Sequence, residues 1–242
     1  MEIEAYLNTA KGKINNKKIK TFLLAIFAGI FISIAAILSV VVSKSIANYS
    51  VAKILSATVF PIGLILVILM KTELFTGNSL LVIPFLNKDI KIKELLRNWL
   101  IVYLGNLAGS LIITLLVANT PLKEVIIDSF IKIANTKISF SFLEAIILGV
   151  LCNFLVCLAV YLSSNAKNIN EKIIVIFLPI FTFIALSFEH SVANMSYLSF
   201  GYLFDNTISI GKILLNNLLP VTIGNIIGGS LLGGAIYYLR KE

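Results

Sequence analysis

One histidine, His190, stands in a polar interruption of a long apolar run, Ser187-Phe188-Glu189-His190-Ser191-Val192-Ala193-Asn194. A second interruption, Lys71-Thr72-Glu73-Leu74-Phe75-Thr76-Gly77-Asn78, sits inside another apolar run. In hydrocarbon an unpaired backbone or charged group costs several kcal/mol. Irregular chain therefore survives at membrane depth only where protein covers it or where it lines a cavity. Breaks at matching places in two halves of a chain mark a binding or permeation site. The chemistry available there is hydrogen bonding and proton exchange. A neutral imidazole at His190 can donate to an anion or trade a proton with it, and the Thr76 hydroxyl can bind a substrate oxygen or partner His190. Metal and cofactor chemistry are not expected. Cys152 and Cys157 lie five apart in one apolar run, do not face each other on a helix, and read as packing residues.

The elements that must position these residues are membrane helices. Hydrophobic residues fill 58% of the 242 positions, charged residues 13%, and mean hydropathy is +0.98. A soluble domain carries about 25% charged residues, so the composition points to an all-α integral membrane protein. A span needs roughly 20 apolar residues, and six are predicted. They are Thr21–Ser43; Lys53–Met70, followed by the first break and a short apolar piece, Asn78–Leu86; Glu94–Ala118; Ser139–Leu162; Lys172–Leu186, followed by the second break and Ser191–Phe200; and Asn216–Leu239. Pro61 and Pro179 fall inside the two broken helices. Residues 1–20 read as a polar N-terminal segment and 21–242 as the six-helix domain. The basic start runs into a stretch long enough to span, which reads as a retained helix rather than a cleaved signal.

A net charge of +8 could suggest nucleic acid, but the basic residues sit mostly at the ends of apolar segments. Thirteen fall on one side (Lys11, Lys13, Lys17, Lys18, Lys20, Lys88, Lys91, Lys93, Arg97, Lys167, Lys172, Arg240, Lys241) against six on the other (Lys44, Lys53, Lys123, Lys132, Lys137, Lys212). By the positive-inside rule both termini are expected in the cytoplasm, with the chain in the cell (inner) membrane.

The third span contains Gly105-Asn106-Leu107-Ala108-Gly109-Ser110-Leu111, and the sixth contains Gly224-Asn225-Ile226-Ile227-Gly228-Gly229-Ser230-Leu231. These match with one inserted glycine, and each follows an interrupted helix. Three helices per half make residues 21–118 and 139–240 an expected inverted repeat, whose two breaks approach one pore from opposite faces. Small residues at helical spacing also allow close packing. Asn153, Asn194 and Asn225 are intramembrane amides, expected mainly to scaffold the breaks, with Asn153 possible near the pore.

Four stretches together resemble the formate/nitrite transporter family: Glu73-Leu74-Phe75-Thr76-Gly77-Asn78, Gly149–Val160 (GVLCNFLVCLAV), Phe188–Asn194 (FEHSVAN) and Leu219–Gly229 (LPVTIGNIIGG). The resemblance implies an aquaporin-like protomer, a homopentamer with one pore per protomer, and passage of small monovalent anions such as formate, nitrite or hydrosulfide, with lactate or acetate in some members. It places His190 at the middle of the pore with Thr76 opposite. It makes Lys137, by its spacing to Asn153, the basic residue near the pore. It puts hydrophobic constrictions at Leu64, Leu74 and Phe75 on the cytoplasmic side and at Phe60, Val156 and Phe183 on the outer side. A carboxylate facing an anion pore would repel the anion. Glu73 and Glu189 are therefore expected to be structural, accepting backbone N–H groups of the unwound turns. Lys71 is expected either to help neutralise Glu73 or to attract anions at the inner mouth.

A bare anion in a dry apolar gate costs many kcal/mol, and a neutral weak acid avoids most of that cost. The expected sequence is attraction by Lys137 and the positive ends of the half-helices, protonation near Thr76 and His190, and passage as the acid. The alternative is an aquaporin-type channel for small neutral solutes, although the paired Asn-Pro-Ala motifs are absent. An intramembrane protease built on Ser230 and His190 is disfavoured, because Gly228-Gly229-Ser230 is echoed by Ala108-Gly109-Ser110 in the other half. No enzyme is expected.

Overall fold

The computed structural model describes residues 3–240; Met1, Glu2, Lys241 and Glu242 lie outside the described residues, and with them the Lys241 of the charge count. The chain is all-α among those residues. A short amphipathic helix, α1 (Ile3–Asn15), precedes α2 (Lys18–Ser43). A kinked pair follows, α3 (Tyr49–Val59) and α4 (Ile62–Leu69). The kink falls at Phe60 and Pro61, where the ring cannot donate to the preceding turn. After the first break come α5 (Phe75–Leu86, with a 3-10 turn at Ser79–Leu81), α6 (Ile92–Ala118) and α7 (Leu122–Ile138). The second half continues with α8 (Phe142–Asn165) and α9 (Ile169–Ala185). After the second break come α10 (Ser191–Phe204) and α11 (Ile210–Arg240, with a π turn at Ile213–Leu218). Five apolar stretches, α2, α3–α4, α6, α8 and α11, are long enough to cross a membrane, and α9 is a further apolar helix of 17 residues.

Element starts differ from the sequence expectation for identifiable reasons. Helix α8 begins at Phe142, not Ser139, because Ser141 and Glu144 form a capping box. Helix α11 begins six residues early because Ser209 caps the Lys212 N–H. Helix α5 begins at Phe75, not Asn78, because the Phe75 N–H finds a side-chain acceptor in α6. Helix α7 was not anticipated. Its buried face, Ile126, Phe130, Ala134 and Ile138, repeats at four-residue spacing, but Lys123 and Glu124 ahead of it and Asp128 and Lys132 within it lower the mean apolarity of the helix. Lys137 consequently sits in the last turn of a helix rather than in a loop. Beyond α10, Thr207 and Asn135 donate to Asp205, tying this corner to α7 and holding the Asp205 carboxyl below the usual carboxylate range.

Both broken helices end in the same hook. Lys71 (φ 52) and Ser187 (φ 58) adopt the left-handed conformation. The next N–H in each case donates back five residues, Thr72 to the Val67 carbonyl and Phe188 to the Phe183 carbonyl, both at 3.0 Å. This pattern closes a helix C-terminus.

Helix α2 packs along α6 and helix α8 along α11, and glycines set both spacings. A Cβ on Gly109 would collide with the Ile26 carbonyl oxygen; one on Gly228 would collide with the Val150 carbonyl oxygen. Gly109 and Gly228 thus hold equivalent places with no inserted residue between the two glycine motifs, which corrects the gapped match. Gly228→Leu must push α11 off α8, a loss of about 3 kcal/mol or more. Gly234, with nothing within 4 Å of its would-be Cβ, is expected to accept alanine without loss. Thermal unfolding of the solubilised protein checks both, and equal melting temperatures for the two variants would contradict this packing.

Candidate functional site

An asparagine holds each break in shape. Asn106 Oδ1 accepts the Phe75 N–H at 2.9 Å, while its Nδ2 donates to the Ala25 and Glu73 carbonyls at 2.8 and 2.9 Å. Asn225 repeats this. Its Oδ1 accepts the Ser191 N–H at 2.9 Å, and its Nδ2 donates to the Gly149 and Glu189 carbonyls at 2.8 and 2.9 Å. Each amide thereby satisfies two backbone groups freed at its break, an N–H and a carbonyl, and ties them to a carbonyl of a neighbouring helix, Ala25 of α2 or Gly149 of α8.

Beside each asparagine lies a buried carboxylate. Glu189 is 2% exposed. Its Oε1 accepts from Lys137 Nζ at 2.7 Å, and its Oε2 accepts from Asn194 and Asn217 Nδ2 at 2.6 and 3.1 Å. Lys137 also stands 5.3 Å from the Tyr197 ring centroid, a cation–π distance. In the first half, Glu73, also 2% exposed, accepts through Oε2 from Lys13 Nζ at 3.0 Å and from Asn78 Nδ2 at 2.7 Å. Asn78 Nδ2 reaches Asn98 Oδ1 as Asn194 Nδ2 reaches Asn217 Oδ1. The carboxylates are structural in the sense that they organise the breaks. Their partners are ammonium and amide groups, however, rather than the expected backbone N–H groups. Lys13, not Lys71, answers Glu73; Lys71 is exposed.

Between the breaks, Thr76 Oγ1 lies 3.0 Å from His190 Nε2. His190 Nδ1 accepts the Ala193 N–H at 3.1 Å, so the imidazole caps α10. An Nδ1 lone pair engaged in this way puts the proton of a neutral imidazole on Nε2. Nε2–H then donates to Thr76 Oγ1, which leaves the threonine O–H to donate onward. Asn153 braces the other side of Thr76. Its Nδ2 reaches the Thr76 carbonyl at 3.2 Å, Ser79 Oγ at 3.1 Å and the Asn225 carbonyl at 2.6 Å.

Apolar side chains pack around the Thr76–His190 pair. Phe60 meets Phe183 edge-on at 5.8 Å, and Phe183 stacks on His190 at 5.7 Å, with Val156 buried. On the side of the termini, Leu64 and Leu74 line the floor of a cavity of about 540 Å³ that also touches Gly77, Val160 and Glu73. Phe75 turns away from this cavity to pack edge-on against Trp99 and Tyr103. The structure thus brings His190, Thr76, Phe183 and Phe60 into one column and puts Lys137 on Glu189. Sequence reasoning missed Lys13, Asn98 and Asn217. The two asparagines carried a signal, amides inside apolar runs; Lys13 carried none, because a lysine in a basic leader looks like any other. Among the described residues no cluster of metal-ligating side chains exists.

With this geometry established, comparisons are informative. A family profile described as formate/nitrite transporter matches residues 1–239. The formate channel FocA of Escherichia coli strain K12 is 34% identical, over 95% of this chain and 90% of its own. A probable formate transporter of Methanothermobacter thermautotrophicus is 35% identical, over 90% of this chain and 88% of its own. Among solved structures, a pentameric formate channel with formate bound superposes with a TM-score of 0.81 at 35% identity, covering 92% of this chain and 96% of that one. An FNT family ion channel superposes with a TM-score of 0.89 at 26% identity, covering 99% of each.

The buried ion pairs give a test independent of transport. Lys137→Met strands the Glu189 charge and is expected to destabilise by about 3–5 kcal/mol. Adding Glu189→Gln is expected to recover most of that loss. A denaturation double-mutant cycle measures the coupling, and strict additivity of the two substitutions would mean that the pair is not formed.

Proposed function

This chain belongs to the formate/nitrite transporter family of membrane channels, and from that premise we propose that it carries a small weak-acid monovalent anion, of the formate, nitrite or hydrosulfide class, by passive proton-linked transport. The observation that carries the reading is the Thr76–His190 contact at 3.0 Å, between two helix breaks and sealed by Phe183 and Leu74. The known relatives named above are channels and transporters rather than enzymes. The protein is proposed to assemble as a homopentamer with one pore per protomer; its formate-bound structural neighbour is described as pentameric. Its halves, 21–118 and 139–240, are proposed inverted repeats, with both termini cytoplasmic in the inner membrane and residues 1–20 forming the cytoplasmic leader.

In this mechanism the lysines act mainly on the carboxylates. Lys13 and Lys137 neutralise Glu73 and Glu189, which would otherwise face the anion as bare negative charges, and so lower the barrier to approach from either mouth. At the centre the anion meets the Thr76 O–H, oriented by His190. Dewetted side chains on both sides (Leu64 and Leu74; Phe60, Val156 and Phe183) disfavour a charged species and favour the neutral acid. His190 is poorly placed to supply the proton. In its neutral form its one N–H faces Thr76, and a second proton on Nδ1 would displace the Ala193 N–H that it caps. The proton therefore arrives from water with the substrate.

Radiolabelled formate uptake into proteoliposomes at two external pH values tests this. Native uptake is expected to rise as external pH falls. His190→Gln, which keeps an N–H donor, is expected to lower the rate yet retain the pH response, whereas His190→Ala lowers it further. Loss of the pH response in His190→Gln would make His190 itself the acid. A current independent of pH would favour a bare-anion channel, and glycerol flux without formate flux would favour a neutral-solute channel.

A further inference from the structure

Under the orientation proposed above, the 540 Å³ cavity opens toward the cytoplasm. Its wall is more basic than passage of a monovalent anion requires. Lys13, Lys20, Lys71 and Lys172 all line it, and Glu73 is its one acidic lining residue among those described. Lys13 already answers that carboxylate. The other three ammonium groups come from the start of α2, the first break and the start of α9, and none forms an ion pair among the described residues. Backbone geometry does not demand the lysine at 71, since Ser187 makes the same left-handed hook in the other half. Asn16 also lines the wall, whereas the hydroxyls of Thr9, Ser163 and Ser164 are already donated to the Ala5, Val160 and Tyr161 carbonyls.

A monocarboxylate offers one charge to this surface and leaves most of it unanswered. An anion with adjacent phosphoryl groups presents several charged oxygens at once, matching several ammonium groups with charge-assisted hydrogen bonds. The volume lies within the range of about 300–1,000 Å³ typical of small-molecule sites. Beyond the cavity floor stand Leu64 and Leu74, where a multiply charged phosphoryl anion cannot follow, because it cannot shed its charge with one proton. We propose that the inner vestibule is a binding site for multivalent phosphoryl anions, pyrophosphate being the simplest, and that such an anion blocks the pathway from the cytoplasmic side. The block rests on the transport reading above; the binding does not.

Two measurements separate them. Isothermal titration of inorganic pyrophosphate into the purified full chain is expected to show binding. Lys20→Gln combined with Lys172→Gln is expected to weaken it roughly fivefold or more, while the double arginine variant retains it and reports on folding. In proteoliposomes, pyrophosphate on the side of the termini is expected to reduce formate flux, and the same concentration on the other side, or chloride at matched ionic strength, is not. No binding by the native chain, or equal affinity in native and double-glutamine proteins, overturns the site. Equal inhibition from both sides, or by chloride, overturns the block. Binding by a protein that moves none of formate, nitrite and hydrosulfide would retire the transport reading and leave the site standing.

Discussion

Interrupting a helix inside hydrocarbon strands backbone N–H and carbonyl groups, and this structure is organised around satisfying them. Each break receives one asparagine from the long helix beyond it, which serves three backbone groups, and one buried carboxylate: Glu73 gathers Lys13 and Asn78, and Glu189 gathers Lys137, Asn194 and Asn217. Removing a single member of such a cluster leaves a buried polar group unmet, at about 1–3 kcal/mol for a neutral group and more for a charge. The close approach of α2 to α6 and of α8 to α11, set by glycines, brings Asn106 and Asn225 within reach of the breaks. Packing and hydrogen bonding thus specify the same geometry.

The polar framework is the same in both halves, but the residues between the breaks are not. At the spacing that relates Glu73 to Glu189 and Asn78 to Asn194, Leu74 corresponds to His190 and Thr76 to Val192. Leu74 and His190 both cap their half-helices with extended backbone, at φ −108 and −109. The first half therefore contributes an apolar gate and a hydroxyl, and the second an imidazole and an apolar neighbour. The two breaks share a polar scaffold, and the residues that differ between them make a single Thr76–His190 pair.

Much of this was legible in the sequence because hydrocarbon is an unforgiving solvent. An apolar run long enough to span reports a membrane helix with little ambiguity, and polar residues within one report either a break or a function. His190, Thr76, Glu73, Glu189, Asn153, Asn194 and Asn225 stood out on that ground. The helices that lie outside such runs were less visible. Helix α7 mixes charged residues with its apolar face, and α1 buries chiefly Tyr6 and Ala10, so composition did not separate either from a loop. The long-range pairs were not legible at all. Lys13 and Glu73 are 60 residues apart, and Lys137 and Glu189 are 52 apart. No local pattern says which lysine will meet which carboxylate. The hooks at Lys71 and Ser187 were likewise hidden, because neither residue type announces a positive φ.

Those two pairs also differ in how firmly they are tied to the core. Lys137 belongs to α7, whose buried stripe includes Phe130, packed on Phe200 at 4.5 Å and on Tyr197 at 5.4 Å. Its backbone carbonyl is bound by Asn217 as well. Lys13 belongs to α1, a helix of 13 residues joined to α2 through Asn16 and Lys17, whose fully buried anchors are Tyr6 and Ala10. Less apolar area holds α1 in place, so opening this segment requires less free energy than opening α7. Glu73 would then lose its counter-charge while remaining connected to Asn78, and a bare carboxylate would line the cavity on the side of the termini. The approach from that side therefore depends electrostatically on a weakly anchored segment, and the charge balance of the opposite approach is fixed by the core.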